Sequence, residues 1–362
     1  MQPKNPHILD IAQFAQARNQ FDAIIDVRSP AEFALDHIPG SINYPVLNNE
    51  ERAQIGTLYK QVSPFAAKKL GAAIVSRNIA QHLEQSMLDH PREWRPLIYC
   101  WRGGERSGAF THVLNRIGWK AMQLEGGYQG FRRIVIDDLD LAAKQFQFQV
   151  ICGMTGTGKT RILHELQSLG AQVLDLEGLA IHRGSVLGNE PDSEQPSQKG
   201  FETALWNALQ SLDPSKPVFI ESESKKVGGV HIPDALMETI RNGLCIELRS
   251  SLPTRVSWLL HEYHHFLENT AQFKEKLGLL TTRYGKVQIA EWFNQIDAGD
   301  FNPLVTDLLV KHYDPAYQSS IIRNFPKYRA DFFTELLDDG DIAFKNAAKD
   351  ILSQFSKVRA SN

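Results

Sequence analysis

Two segments of this sequence combine residue types and spacings that suit the binding of anions. The first, residues 100–107, reads Cys-Trp-Arg-Gly-Gly-Glu-Arg-Ser: a cysteine, a loop with two glycines, and an arginine. The second, residues 153–160, reads Gly-Met-Thr-Gly-Thr-Gly-Lys-Thr and matches the phosphate-binding pattern G-x-x-x-x-G-K-[ST] in full. The first segment is typical of a loop that stabilises a reactive thiolate, and the second is typical of a loop that binds a di- or triphosphate. Together they indicate that an activated group passes through sulfur or selenium chemistry.

Cys100 ends the apolar run 96–100, so we expect it at the carboxyl end of a strand, before a tight loop and a helix from Ser107. The N–H groups of such a loop and of the helix N-terminus favour the thiolate, and Arg106 adds a fixed positive charge. We predict Cys100 and Arg106 as catalytic residues. The loop residues predicted to hold the anionic donor are Trp101, Arg102, Gly103, Gly104 and Glu105.

The phosphate pattern lies between a predicted strand, 146–152, and a predicted helix, which is the order that the motif requires. We expect Lys159 to reach over the phosphates, and Thr160 could hold Mg²⁺. The residues predicted to bind a diphosphate are Gly153, Thr155, Gly156, Thr157, Gly158, Lys159 and Thr160. A prenyl diphosphate has the same anionic head as a nucleotide, so the pattern leaves the ligand open. Asp175 and Glu221, at the ends of predicted strands, are candidate acidic partners.

Apolar runs of strand length alternate with helix-compatible segments, which predicts an α/β fold. The predicted strands are 23–27, 96–100, 121–124, 146–152, 172–176, 217–221 and 244–248. We therefore expect an α/β domain over 1–138, a linker helix over 139–145, a P-loop NTPase-like α/β domain over 146–253, and a helical region over 254–362.

The composition indicates an ordinary globular protein and argues against a disulfide-rich or membrane protein. The chain has 362 residues, with 42% hydrophobic and 22% charged, as in ordinary globular proteins. Three cysteines are too few for a disulfide framework, and we see neither a signal-peptide pattern nor a membrane-length apolar run, so we expect a cytoplasmic protein without membrane contact. The net charge of −3 excludes a diffuse basic surface, so a nucleic-acid partner needs a local patch. The stretch 311–329 mixes cations with aromatics, and within it Arg323, Lys327 and Arg329 are candidate RNA contacts.

The first part of the chain resembles the rhodanese (sulfurtransferase) family. The resemblance rests on Asp-Val-Arg-Ser-Pro-Ala-Glu-Phe at 26–33 and His-Ile-Pro-Gly-Ser-Ile-Asn at 37–43, followed by the loop at Cys100. It implies a rhodanese-like domain whose cysteine carries sulfur or selenium. The spacing from Cys100 to Arg106 is one residue longer than in common rhodaneses and also occurs in cysteine-dependent phosphatases. Those phosphatases usually place histidine where Tyr99 stands, so we favour a carrier with room for a phosphate-bearing donor.

Nearly the whole chain resembles the tRNA 2-selenouridine synthase family. The segments that carry this resemblance are 48–52, 125–128, 175–185, 221–226, 231–233 and 313–317, together with the two anion-binding loops. It implies S-geranylation of wobble 2-thiouridine in tRNA by geranyl diphosphate, then replacement of the geranylated sulfur by selenium from selenophosphate. Cys100 and its loop would handle selenophosphate, the glycine loop would hold the diphosphate, and His182 and Arg183 are candidate tRNA contacts. No tightly bound cofactor is implied.

Three other interpretations remain at this point. An ATP-dependent P-loop kinase fused to a persulfide-carrying sulfurtransferase would use the same two loops. A nucleotide-gated adaptor would use the first domain as a scaffold, but Cys100 and its loop argue against it. The sequence His-Glu-Tyr-His-His at 261–265 matches the H-E-x-x-H zinc pattern. Since no clear third ligand follows, we predict no metal there and favour a solvated or RNA-facing helix.

Overall fold

The computed structural model describes residues 7–185, 187–191, 193–329 and 331–361, and contacts divide the chain into two compact units. The first contains the described residues up to Asp138 together with Ser197–Asn207, and the second contains Leu139–Pro196 and the residues from Ala208 onward. Residues 1–6 and 362, which belong to the predicted ranges, lie outside the described residues. No pattern in the sequence signals that residues 197–207 return to the first unit.

The first unit contains a five-stranded parallel sheet in the order β1-β5-β4-β2-β3. Its strands are β1 (Ile8–Leu9), β2 (Ala23–Asp26), β3 (Ile42–Asn43), β4 (Pro96–Tyr99) and β5 (Met122–Leu124). Its helices are α1 (Phe14–Ala17), α2 (Pro30–Leu35), α3 (Asn49–Gln61), α4 (Pro64–Ser86), α5 (Glu105–Ile117), the start of α6 (Gly127–Ala142) and most of α9 (Gln198–Gln210), with short 3₁₀ segments at Ile11–Gln13 and Arg18–Gln20.

The central strand β4 explains where the cysteine lies. All four residues of β4 are buried, and the strand pairs with β2 on one side and β5 on the other. Burial on both faces accounts for its continuous apolar sequence. Its carboxyl end, where ligands bind in open parallel sheets, delivers Cys100 directly into the loop before α5.

The second unit contains a five-stranded parallel sheet in the order β12-β11-β6-β8-β7. Its strands are β6 (Phe148–Cys152), β7 (Gln172–Val173), β8 (Val218–Glu221), β11 (Leu244–Ser250) and β12 (Phe333–Leu336), and β9 (Lys226–Val227) pairs antiparallel with β10 (Val230–His231). Two parallel α/β units confirm the predicted fold class. The edge strand β12 lies in the region that the sequence predicts as helical, and it joins the sheet through parallel pairing with β11.

Some helices of the second unit pack on this sheet, and those over residues 264–308 share a separate hydrophobic core. The helices of this unit are the end of α6, α7 (Lys159–Ser168), α8 (Leu176–Ala180), the end of α9 (Gln198–Gln210), α10 (Asp234–Arg241), α11 (Leu252–Glu262), α12 (His264–Glu268), α13 (Thr270–Gly278), α14 (Thr281–Ala298), α15 (Phe301–Leu308), α16 (Asp314–Asn324) and α17 (Asp341–Ser361). A 3₁₀ segment at Ala143–Gln145 follows α6, and a π-helical turn at Leu309–Tyr313 joins α15 to α16. Among the described residues, no helix is long and apolar enough to span a membrane.

Candidate functional site

The sulfur of Cys100 is surrounded by hydrogen-bond donors. The residue is only 4% exposed, and its Sγ accepts the backbone N–H of Gly104 at 3.3 Å and the hydroxyl of Ser107 at 3.1 Å. That hydroxyl also lies 3.2 Å from the carbonyl oxygen of Gly104 and accepts from Gln123 Nε2 at 2.9 Å. Donors directed at the sulfur stabilise a thiolate, which is the nucleophilic form of cysteine.

Two glycines allow the backbone to approach the cysteine closely. Gly127 has φ +52°, and a Cβ atom there would lie 2.2 Å from the carbonyl oxygen of Cys100. Gly103 has φ +66°, and its Cβ would lie 2.4 Å from the carbonyl oxygen of Leu124. The start of α6 then fixes the loop, because Tyr128 N–H donates to the Cys100 carbonyl at 2.8 Å. The close approach of the two backbones explains the glycine at 127.

Arg106 is held beside the loop by a carboxylate. Its Nη1 lies 2.9 Å from Glu32 Oε2, and Arg52 Nε lies 3.8 Å from the same oxygen. Burial tends to raise the pKa of Glu32, but the hydrogen bond and charge of Arg106 outweigh it, and the pKa is lowered. Arg106 is therefore oriented by Glu32, within the rim of the Cys100 loop. Of the other predicted loop residues, Trp101 packs 5.3 Å from the Tyr128 ring, Arg102 donates to Gln129, and Glu105 opens α5.

Arg28 forms an ion pair inside the first unit. Glu32 lies four residues further along the sequence, but Arg28 pairs with Asp26 at 2.6 Å and donates to the Asp36 carbonyl at 2.7 Å. Its guanidinium also lies 3.9 Å from the centre of the Tyr128 ring. Arg28 and Asp26 are both buried, so this pair supports the sheet edge behind the loop.

The glycine loop at 153–158 connects β6 to α7 as the motif requires. Gly158 adopts φ +75°, and a Cβ atom there would lie 2.5 Å from the Phe344 ring. Lys159 Nζ donates to the carbonyl oxygen of Gly153 at 2.9 Å, so the lysine is folded over the loop. The N–H of Gly153 donates to the hydroxyl of Tyr317 at 2.7 Å. Thr155 and Gly156 line the adjoining pocket, and Thr157 Oγ1 donates to the Met154 carbonyl.

Three glutamates converge beside Thr160. Its hydroxyl lies 2.9 Å from Glu177 Oε2 and 3.1 Å from Glu221 Oε2, and one ligand atom each from Glu177, Glu221 and Glu223 lie within 4.8 Å of one another. Burial, followed by the nearby charge of Glu177, raises the pKa of Glu223 to about 8 and raises that of Glu221 well above its usual range. Burial also raises the pKa of Glu177. Burial and mutual repulsion therefore disfavour the charged form of all three carboxyl groups.

This cluster fits a divalent cation. Glu221 is 1% exposed, and its Oε1 has no hydrogen-bond partner among the described residues. Carboxylate and hydroxyl oxygens are the ligands that Mg²⁺ prefers, and the Thr160 position is the one that holds Mg²⁺ in the phosphate motif. Of the two predicted acidic partners, Glu221 reaches Thr160. Asp175 instead caps α8 by accepting the Gly178 N–H at 2.8 Å, because it begins that helix rather than ending a strand.

Two cavities of the second unit meet at the glycine loop. The polar one is lined by the loop, the glutamates, Arg183, His261, Arg283 and Tyr317. The apolar one is narrow, with a cavity volume of about 50 Å³. Its lining residues are Thr155, Ser185, Leu187, Leu259, Leu260, Tyr263, Phe266, Leu267, Phe273, Val305, Leu308, Leu309 and Tyr313. The two cavities share Thr155, Ser185, Leu259, Tyr263 and Tyr313, so an anionic head and an apolar tail can bind side by side.

The candidate RNA contacts differ in burial and in ion pairing. His182 is 5% exposed, and Arg183 pairs with Glu190 at 2.7 Å and stacks 4.9 Å from the Tyr263 ring. Arg323 and Lys327 are exposed, and Arg329 pairs with Asp331 at 2.8 Å. Two aromatics of this stretch point elsewhere: Phe325 is buried, and Tyr313 lines both cavities. A role of these cations in RNA binding stays a prediction.

The H-E-x-x-H pattern is interrupted in the structure. Helix α11 ends at Glu262, Tyr263 has φ −109° and ψ 27°, and α12 begins at His264. His261 and His265 therefore belong to different helices, whereas the zinc motif needs both on one face of a single helix. His261 instead lines the polar cavity at the glycine loop.

Glu177, Glu223, Ser107 and Tyr317 lie in segments that the sequence singles out, but no pattern assigns them individual roles in a site. A partial signal existed for Glu223, because residues two apart at the end of a strand point to the same side, and Glu221 was a candidate. Tyr317 comes from a helix 164 positions away from Gly153, and nothing local marks that contact.

Comparisons with known proteins match both units. Residues 10–134 match the rhodanese-like domain model, and residues 146–284 match the model of the tRNA 2-selenouridine synthase AAA domain. The tRNA 2-selenouridine synthase of Alcanivorax borkumensis is 32% identical over 332 residues, covering 83% of this chain and 90% of that protein. The same-named protein of Nitrosomonas europaea is 40% identical over 247 residues, covering 66% of this chain but only 63% of its own length. Among solved structures, a rhodanese-related protein from Thermoplasma volcanium is 19% identical with a TM-score of 0.24, covering 35% of this chain and 91% of its own.

Proposed function

The chain belongs to the tRNA 2-selenouridine synthase family, and on this premise we propose that it converts wobble 2-thiouridine of tRNA to 2-selenouridine in two steps. In the first step, the thiocarbonyl sulfur attacks the first carbon of geranyl diphosphate. The carbon–oxygen bond breaks and diphosphate departs with the electron pair. In the second step, the phosphorus–selenium bond of selenophosphate breaks and selenide leaves with the electron pair. The selenide adds at C2 of the base, and the geranylated sulfur leaves as a thiolate.

The observation that carries this proposal is the junction of the polar and apolar cavities at the glycine loop. An ATP-dependent kinase would use the polar cavity and leave the apolar one empty. A wall of leucine, phenylalanine and valine side chains suits a hydrocarbon tail. The apolar cavity beside the glycine loop therefore supports a prenyl diphosphate as the ligand.

The residues have distinct roles in this scheme. Lys159 and the loop N–H groups would stabilise the charge that develops on departing diphosphate. Thr160, Glu177, Glu221 and Glu223 would hold Mg²⁺, which when bound neutralises part of the same charge. At the other site, the Cys100 thiolate would attack the phosphorus of selenophosphate, which releases selenide and leaves the phosphoryl group on the cysteine until water removes it. Arg106 and the loop N–H groups would stabilise the phosphate oxygens. S-alkylation is needed because a thiocarbonyl sulfur is a poor leaving group.

Ligand-dependent thermal stability tests this proposal. A ligand that binds the folded protein raises its unfolding temperature. Geranyl diphosphate should protect the protein more than ATP or GTP does at equal concentration, and inorganic diphosphate should protect it less than geranyl diphosphate. Protection by ATP alone would favour the kinase interpretation.

A further inference from the structure

Helices α3 and α4 form a hairpin in the first unit whose tip is exposed and cationic. From Arg52 to Leu83 the sequence contains five Lys and Arg residues and no Asp or Glu, although the whole chain has a net charge of −3. Helix α3 buries none of its residues, and α4 buries none before Ala67. The tip of the hairpin is therefore not part of the hydrophobic core.

The lysines at this tip are not neutralised by the protein. Arg52 and Arg77 approach Glu32 and Glu51 at 3.8 and 2.7 Å. Within the part of the chain that the structure describes, Lys60, Lys68 and Lys69 have no ion pair, and all three are exposed.

Two aromatic side chains lie among these lysines. Tyr59 is 53% exposed and Phe65 is 70% exposed. Phe65, Lys68 and Lys69 share one face of α4, since residues three and four apart are neighbours on a helix. Lys69 Nζ lies 5.0 Å from the centre of the Phe65 ring. We call Tyr59, Lys60, Phe65, Lys68 and Lys69 the tip cluster.

The hairpin starts at the edge of the Cys100 loop. Glu32 Oε2 lies 2.9 Å from Arg106, which closes that loop, and 3.8 Å from Arg52 in the first turn of α3. Helix α3 has 13 residues, so it carries the tip about 20 Å from this point. A long polymer bound at the tip can thus reach the cysteine, whereas a small substrate cannot touch both.

We propose that the tip cluster is a docking surface for RNA, with unpaired bases stacked on Tyr59 and Phe65 and phosphates bound by the three lysines. The inference rests on the proposed function, which makes tRNA the substrate, and it adds the surface that holds the substrate near Cys100. A second copy of the chain would place like charges against one another here. Neither helix segregates its apolar residues to one side as membrane-surface helices do.

The salt dependence of tRNA binding tests whether the three lysines contact phosphates. Replacing Lys60, Lys68 and Lys69 together by Ala should lower the slope of log affinity against log salt by about two to three units, since each lost phosphate contact removes roughly 0.7 to 0.9. The matched control replaces three exposed lysines elsewhere, Lys144, Lys216 and Lys349, and should leave the slope unchanged. An unchanged slope in the folded tip variant overturns the proposal.

A second variant tests whether the two aromatic side chains stack on bases. Further measurements distinguish RNA from a membrane or a second copy of the chain as the partner of the tip cluster. Tyr59→Ala with Phe65→Ala should weaken tRNA binding by roughly fivefold or more, while Tyr59→Phe with Phe65→Tyr should keep it. If the lysine variant instead loses binding to phosphatidylserine vesicles, or changes its oligomeric state, with tRNA binding intact, the tip serves a membrane or a second copy. If the wild-type protein binds no tRNA, the proposed function fails as well, whereas failure of the tip variants alone overturns only this surface.

Discussion

The hydroxyl of Ser107 lies 3.1 Å from the sulfur of Cys100, and the two residues stand at opposite ends of one loop. Ser107 is fully buried in the first turns of α5, so its position is fixed by the helix. The helix thereby supplies the sulfur with a hydrogen-bond donor in addition to the N–H of Gly104. This contact links the fold of the first unit directly to the reactivity of its cysteine.

Ser107→Ala should slow the selenium step by about 10- to 100-fold, because a hydrogen bond to a charged group contributes about 1.5–3 kcal/mol. Alkylation of Cys100 by iodoacetamide should slow in parallel, while geranylation of 2-thiouridine tRNA should stay at the wild-type rate. Equal loss of both steps would indicate a folding defect. An unchanged alkylation rate would show that Ser107 does not support the thiolate.

Filling the apolar cavity should weaken binding of the hydrocarbon tail of geranyl diphosphate without changing binding of its diphosphate head. Val305 is half-buried in the cavity wall, and Val305→Trp places a large ring there. We expect weaker binding of geranyl diphosphate with unchanged binding of inorganic diphosphate, measured by calorimetry. Val305→Leu is the matched control and should bind both. Equal affinity of Val305→Trp and wild type for geranyl diphosphate would move the tail to another surface.

The sequence predicts the strands and loops that local patterns determine. It misses the features that depend on tertiary contacts. Apolar runs at 96–100 and 146–152 locate β4 and β6, and each ends at a predicted anion-binding loop. The edge strand β12 escapes detection because Phe-Thr-Glu-Leu is short and lies among helices. Glu177 and Glu221 converge because the Thr160 hydroxyl at the start of α7 contacts both, and no spacing in the sequence encodes this arrangement.

The glutamate cluster should make stability depend on pH. Burial, followed by the charge of Glu177, raises the pKa of Glu223 from its usual 4.5 to about 8. Between these values the folded state binds more protons than the unfolded state, so stability falls as pH rises from about 4.5 to 8. Glu223→Gln should weaken this dependence. The measurement is the unfolding temperature in EDTA across this range, and a rise in stability with pH in the wild type that the variant lacks would contradict the assignment.

Mg²⁺ should offset the repulsion within the same cluster. At a hundredfold excess over its dissociation constant, a ligand stabilises the folded state by about 2.7 kcal/mol. We expect Mg²⁺ to raise the unfolding temperature of the wild type at about pH 8, and Glu221→Gln to remove most of the rise. Asp175→Asn is the control, since Asp175 caps α8 outside the converging group. A full Mg²⁺ response in Glu221→Gln would place the ion elsewhere.

The central claim is that geranylation and selenium exchange use different residues, and nucleoside analysis of product tRNA by mass spectrometry tests it most directly. Cys100→Ser should accumulate geranylated 2-thiouridine without 2-selenouridine. Lys159→Ala should fail to geranylate 2-thiouridine tRNA, yet form 2-selenouridine when given pre-geranylated tRNA and selenophosphate. Loss of both steps in both folded variants, or wild-type selenouridine formation by Cys100→Ser, would contradict the account.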